Sequence, residues 1–336
     1  MEMFLNSQVP LHSPLMRDVY ANYESNLRDI AAVARDSGAR VIISTVATNL
    51  KDSAPFASQH RVGISPAELA SWSSLVQQGA SFENDHAYDN ALAAYLAALK
   101  IDDEYAELEF RIGRTLWKKG DFEGAKQHFQ RARDLDTLRF RADSTINDIN
   151  RSIGKSRDGV ELVDADAVFS QNTMGGATGS ELLYEHVHLT PAGNYLLARS
   201  MFLAIAPQLA GHPVTESDVA TKKDCDQMLA LTGFDSNRLT NEMLQRLQRA
   251  PFTNQLNHRE EVLRLAIEAQ DPVESPQESI AEYQWALGKS PDDRVLHNKF
   301  GSFLYNFDRD AGIEQLKLAQ PWDGFPVFTP DGLQVQ

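Results

Sequence analysis

Glu185 and His188 lie three residues apart in the stretch Tyr184-Glu185-His186-Val187-His188-Leu189-Thr190-Pro191-Ala192-Gly193-Asn194. A carboxylate beside an imidazole fixes the ring's tautomer and stabilises its protonated form, as a general base in acyl chemistry requires. His188 is therefore the candidate catalytic base and Glu185 the residue that orients it. His186 makes a His-x-His pair with His188, and on extended backbone two such rings point to one side and offer two metal ligands. The spacing suggests no third or fourth ligand, so His186 reads as exposed or hydrogen-bonded, and neither a metal nor a cofactor is expected.

The elements that must hold this pair can be read on either side of it. Thr190 followed by Pro191 is a helix start, and Tyr195, Leu196, Phe202, Leu203, Ala206 and Leu209 fall mostly along one face behind it. Upstream, residues 1–17 carry Pro10 and Pro14 and read as irregular. From Asp18 the residues Val19, Tyr23, Leu27, Ile30 and Val33 share a helical face that Gly38 ends. Val41 to Val46 is a β-branched run suited to a buried parallel strand, and Val160 to Val163 is a second one. The residues between 47 and 58 form a loop at a strand's carboxyl end, where α/β proteins place their sites. Within it Asn49 and Asp52 read as residues that satisfy loop backbone groups. Residues 138–153 read as a helix leading back to the sheet, and 164–180 as a polar loop ending in a glycine-rich run without the lysine of a phosphate loop.

A carboxylate, two residues, then His-Leu-Thr-Pro-x-Gly-Asn resembles the last conserved block of the SGNH (GDSL-type) hydrolases. There an Asp-x-x-His pair serves a serine nucleophile. The resemblance implies that His188 is the base and that Glu185, one methylene longer, occupies the aspartate position. The family's Gly-Asp-Ser nucleophile, oxyanion glycine and Gly-x-Asn-Asp-like block have no counterpart in the chain. Ser44, in the first strand, and Ser144, on the expected helix, sit in no nucleophile elbow and read as structural. The segment 1–58, with Val41-Ile42-Ile43-Ser44-Thr45-Val46 and the loop after it, resembles the middle of the subset of this family that carries tetratricopeptide repeats. The expectation is an amino-terminally truncated member, with any signal or membrane anchor upstream.

Between residues 66 and 135 the repeat itself is visible. Gly79, Phe82, Ala91, Tyr95 and Ala98 are matched 34 positions later by Gly113, Leu116, Ala125, Phe129 and Ala132. That is the tetratricopeptide period, with small residues where two helices cross and aromatics filling the groove between them. Further on, Ile280, Tyr283 and Ala286 are followed 33 positions later by Ile313, Leu316 and Ala319, one residue short of the repeat. The expected fold is α/β. Residues 1–65 and 136–212 would form part of a three-layer parallel-sheet SGNH-like domain, with an inserted all-α repeat pair at 66–135 and a helical, degenerate repeat region at 213–336. Residues 321–336 show no periodicity and read as a tail. Lys118, Lys119, Lys126, Arg131 and Arg133 form a candidate basic stripe for an acidic extended peptide, against a solvated face balanced by Asp121, Glu123 and Asp134.

Composition narrows the classes. A net charge of −15 with no basic cluster argues against nucleic acid and against anionic membrane surfaces. Cys225 is the single cysteine, which excludes intrachain disulfides and thiolate metal clusters. No apolar run reaches the length of a membrane span, and residues 1–5 make no signal peptide. Two functions remain. One is an ester hydrolase or acyltransferase remnant, inactive alone because its nucleophile and oxyanion blocks are absent, with an acyl ester as the family's substrate class. The other is a repeat scaffold that binds a protein or peptide partner through the repeat groove.

Overall fold

The computed structural model describes residues 5–156, 159–271, 274–320, 327–332 and 334–335. By internal contacts the chain forms two units, Met1–Val219 with Met243–Arg264, and Ala220–Glu242 with Leu265–Gln336. The sequence pattern places a boundary near residue 212, whereas the contacts return 243–264 to the first unit.

In the first unit, α1 (Pro14–Asp36) starts earlier than its apolar face suggests, because Ser13 caps Leu15 N–H and Pro14 is pre-set for the first turn. The strand β1 (Val41–Ser44) pairs in parallel with β2 (Val160–Val163), from Val41 opposite Val160 to Ser44 opposite Val163. Strand β1 stops two residues short of the apolar run. The Asn147 amide takes both backbone groups of Val46, at 2.8 and 3.0 Å, where a ladder would otherwise continue. Ile43 packs with Ile149 and Ile153 under Tyr20, Tyr23 and Leu27 of α1. A three-layer parallel sheet is not what the described residues build. Two strands of four residues each are present in that sheet, covered by α1 and by α6 (Ser144–Gly154).

Between the strands lie α2 (Pro66–Asn84), α3 (Tyr88–Leu99), α4 (Ala106–Lys118) and α5 (Phe122–Leu135). They pack pairwise as two tetratricopeptide-type hairpins, α2 on α3 and α4 on α5. A capping box between Ser65 and Glu68, with Pro66, starts the first. The period sets the packing. A Cβ on Gly79 would come within 2.4 Å of the Tyr95 ring, and one on Gly113 within 2.7 Å of the Phe129 ring. Both rings are buried, in one cluster with Trp72, Phe110, Ile112 and Leu116. The chain then differs from the expected helix over 138–153. Residues 138–143 are not helical, because Asp136 accepts the Leu138 N–H at 3.1 Å and Arg141 is drawn into the loop after β1. Asp143 caps α6 instead. The polar loop after β2 also holds a helix, α7 (Ala165–Gln171), capped by Asp164, and α8 (Pro191–Ala210) follows the motif.

The second unit contains α9 (Lys222–Met228), the first part of α10 (Gly233–Leu247), the end of α11 (His258–Glu268), α12 (Pro276–Lys289), α13 (Arg294–Leu304) and α14 (Arg309–Leu318). Tyr283, Phe300, Phe303 and Leu304 centre its core. The hairpin of α13 and α14 explains the short repeat offset. Gly301 faces Leu316, a Cβ there falling 2.8 Å from Leu316 Cγ, as Gly79 faces Tyr95 but with one residue fewer between them. Two-residue strands β3 (Val327–Phe328) and β4 (Gln334–Val335) pair antiparallel within the expected tail, the rest of which falls largely outside the described residues. Among the described residues no helix is long and apolar enough to cross a membrane.

Candidate functional site

Residues 183–189 fold back on themselves. Leu183 and Leu189 form an antiparallel bridge, and Tyr184 N–H donates to His188 O at 2.8 Å. Each remaining motif residue has a local task. Thr190 caps α8 by accepting the Gly193 N–H, Leu189 packs against the cluster of Phe169, Leu182, Leu183 and Leu196, and Asn194 Nδ2 donates to Leu189 O. Gly193 is required sterically, since a Cβ would stand 2.2 Å from Leu182 O. The start of α8 thereby clamps the turn that presents the two histidines.

Inside that turn the Glu185 carboxylate, 2% exposed, accepts the backbone N–H of His186 at 2.7 Å and of His188 at 2.9 Å. The same carboxylate lies against His188 Nδ1, leaving Nε2 as the nitrogen free to accept a proton. The His188 side chain is 45% exposed, so the ring is partly open to solvent. Burial and the nearby positive charge of Arg246 hold the His188 imidazole below its usual range, against the Glu185 carboxylate at Nδ1, which favours the protonated ring. Among the described residues no hydroxyl is hydrogen-bonded to His188. Ser44 Oγ bonds Thr45 O and Ser144 Oγ accepts from Arg133, so both serines are structural.

The His-x-His pair does not present two rings to one ligand. His186 is buried among Phe56, Phe252 and Phe140, at ring separations of 5.1, 5.4 and 6.4 Å, with its Nδ1 facing Glu185 outside hydrogen-bond geometry. That burial, with Arg141, His188 and Arg246 nearby, pushes it down to about 3. No group of three or more potential metal ligands occurs among the described residues.

The turn is anchored from below by the loop after β1. Asn49 N–H donates to His186 O at 3.1 Å, Asn49 Oδ1 accepts Asp52 N–H at 2.8 Å, and Asp52 accepts Ser180 N–H at 2.8 Å. Arg141 locks that loop through Asn49 O at 2.9 Å and Ser53 O at 2.8 Å, while Asp136, 3.2 Å from the guanidinium, takes Phe56 and Ala57 N–H. Removing one partner of such a buried pair costs about 3–5 kcal/mol. The sequence hid this pair, since Asp136 and Arg141 belong to no periodic pattern.

A second candidate region lies on α4. Arg114, Trp117 and Lys118 line a cavity of about 280 Å³ with Lys51, Asp52, Glu260 and Glu261. Lys51 Nζ stands 5.2 Å from the Trp117 ring centre, and Arg114 Nη2 is 2.9 Å from Glu260. Burial, with repulsion from Asp52 acting against the pull of Arg264, pushes Glu261 up to about 7. The basic stripe is not one surface. Lys118 is exposed at this cavity, Lys119 pairs with Asp89, and Lys126 bonds Ser170 Oγ beside a different cavity. Arg133 is buried against Asp134 and Ser144.

No family model and no curated protein matches the chain. Two solved tetratricopeptide structures are similar to it. One is YrrB, described as a TPR protein with an unusual peptide-binding site, at 13% identity over 73% of this chain and 82% of that one, with a TM-score of 0.18. The other is the TPR2AB-domain:pHSP90 complex of yeast Sti1, at 13% identity over 74% of this chain and 90% of that one, with a TM-score of 0.20. At TM-scores this low neither likeness bears weight. The repeat fold here stands on its own helix pairs, and nothing in these comparisons supports a hydrolase.

Proposed function

We propose that the protein is a tetratricopeptide-type scaffold that holds a peptide of a protein partner on the α4 face. The observation that carries this reading is one cation, unpaired among the described residues, beside an indole in a cavity whose other cations, Lys51 and Arg114, are matched by acidic side chains. Lys118 is exposed and has no partner among the described residues, and it sits beside Trp117 and Arg114 on a rigid helix pair. A free ammonium next to an indole suits a carboxylate with an apolar neighbour. The test is capture of acidic peptides from an array by the full chain. Lys118→Glu should lose the wild-type set, whereas Lys126→Glu, at another cavity, should keep it. An unchanged set with Lys118→Glu sinks the reading.

A second reading rests on one specific observation, the contact of Glu185 with Nδ1 of a partly exposed His188. It makes the turn a general base of the SGNH-hydrolase type, able to accept a proton from a hydroxyl supplied by a substrate or another segment. Hydrolysis of a p-nitrophenyl ester by the chain, lost in His188→Ala with unchanged circular dichroism, supports it. Equal rates for the two proteins remove it.

A further inference from the structure

One edge of the α4 face is covered by the chain itself, through Leu256 on the repeat core and Glu260 on Arg114. Residues 252–264 return to the first unit and run from the aromatic cluster under the histidine turn to the repeat pair. Phe252 is buried against Phe56 and His186. Gln255 Nε2 donates to Ser53 Oγ at 3.2 Å. Asn257 closes a two-bond amide clasp on the loop after β1, its Oδ1 accepting Ala54 N–H at 3.3 Å and its Nδ2 donating to Asp52 O at 2.8 Å. Between these amides Leu256 packs on the repeat core. Three residues after Asn257, Glu260 meets Arg114 of α4.

We infer that residues 252–264 are an intramolecular ligand of a seat built jointly by the loop after β1, which takes the amides, and by the repeat pair, which takes Leu256 and Glu260, and that a partner peptide takes the same seat by presenting the same chemistry, a side-chain amide followed three residues later by a carboxylate. The contacts have the form of peptide recognition. An amide that pairs with both a backbone N–H and a backbone carbonyl imitates one rung of a strand ladder. The following carboxylate then selects the residue that meets Arg114. Because the segment is tethered, its effective concentration is on the order of millimolar, and a partner binds only as often as the seat is vacant. The two halves of the seat differ in strength. The Asn257 clasp is buried, whereas Glu260 is 62% exposed and its ion pair with Arg114 is the weaker half.

This inference rests on the scaffold reading, and the experiment separates the two. The probe is a labelled synthetic peptide of residues 250–266 of this chain, titrated into the full protein by fluorescence anisotropy. Wild type should bind it weakly. Glu260→Arg weakens the resident segment at an exposed position that does not endanger folding, and should raise affinity for the probe about two- to fivefold. Adding Asn257→Ala should raise it further, on the order of tenfold. Arg114→Glu with Glu260→Arg rebuilds the resident pair with reversed sign and should return binding to the wild-type level or below. A probe in which the position of Asn257 is alanine should not bind any of these proteins. If Glu260→Arg and its combination with Asn257→Ala leave probe affinity unchanged, the resident-ligand inference falls. Should Lys118→Glu still abolish partner capture in that case, the scaffold reading survives without it. If instead the probe responds as expected while Lys118→Glu captures the same partners, the seat is real and the partner reading is wrong.

Discussion

The repeat pair α2–α5 and the hairpin α13–α14 solve the same packing problem with one residue of difference. In the pair, Gly79 and Gly113 let an aromatic ring lie directly on a helix backbone, and alanines at 91 and 125 fill the crossing below. In the hairpin, Gly301 faces the smaller Leu316, and the alanine position is itself a glycine, Gly312, whose Cβ would fall 2.7 Å from Tyr305 N and 2.9 Å from Gly301 O. At both hairpin glycines a Cβ would meet backbone atoms of the facing segment at 2.7–2.9 Å, so backbone lies directly on backbone there. A smaller knob and a second glycine are what the closer approach demands. Degeneracy in the repeat signature therefore reflects a tighter geometry rather than a loss of it.

The largest expected effect breaks the knob on each side. Phe129→Ala in the pair should cost about 3–5 kcal/mol, and Leu316→Ala in the hairpin about 2–5 kcal/mol. Both side chains are nearly or fully buried. If the tighter hairpin relaxes less, Leu316→Ala will match Phe129→Ala despite removing fewer atoms. Urea denaturation, with hydrogen exchange resolved by helix, measures each locally. A Leu316→Ala cost under about 1 kcal/mol would remove the correspondence between Leu316 and the repeat aromatics.

A finer contrast comes from filling the glycines. Overpacking a tight crossing costs about 1–3 kcal/mol, and the sum depends on what can move. At Gly113 a new methyl meets ring edges of Phe129, which can tilt. At Gly301 it meets Gly312 O and Leu316 N, both at 2.9 Å, which cannot move without shifting a helix. Gly301→Ala should therefore destabilise its hairpin more than Gly113→Ala destabilises the pair. The reverse order in hydrogen-exchange stability would contradict the closer approach.

The same two regions show what a sequence discloses. The 34-residue period carries Gly79, Tyr95, Gly113 and Phe129 openly, since one crossing repeats at one spacing. The β1 run and the Thr190-Pro191 start are also legible, because local backbone preference and burial agree there. The seat of residues 252–264 is not. Gln255 and Asn257 act through single amides on a loop some two hundred residues earlier, and a polar contact over that distance leaves no periodic trace. Helix α7 was hidden by its seven-residue length, too short to show a stripe, and the basic stripe dissolved because Asp89 and Ser170 reach Lys119 and Lys126 only through tertiary packing. Within the candidate site, Glu185 and His188 were readable as a local pair. The Asp136 and Arg141 lock beneath them was not.

The smallest effect compares the two buried tyrosines. Tyr95 donates to Glu83 at 2.8 Å in the repeat pair, and Tyr283 donates to Asp235 at 2.8 Å in the second unit. Burial, then the neighbouring carboxylate, raises both phenols above their ordinary value of 10.0. The folded state thus holds these protons after the unfolded chain has begun to lose them. Stability is complete below about pH 10 and falls as pH rises beyond it. Replacing either tyrosine by phenylalanine should flatten that alkaline decline and cost about 1–2 kcal/mol near pH 7. The loss should be larger for Tyr283→Phe. Both carboxylates keep two cations, Glu83 with arginines at 3.7 Å each and Asp235 with Lys299 at 3.1 Å and Arg238 at 3.9 Å, but Glu83 is 19% exposed and Asp235 only 6%, so less water reaches Asp235 to replace the lost bond. Equal pH slopes in wild type and both variants, measured by urea unfolding from pH 8 upward, would show that neither phenol titrates with the fold.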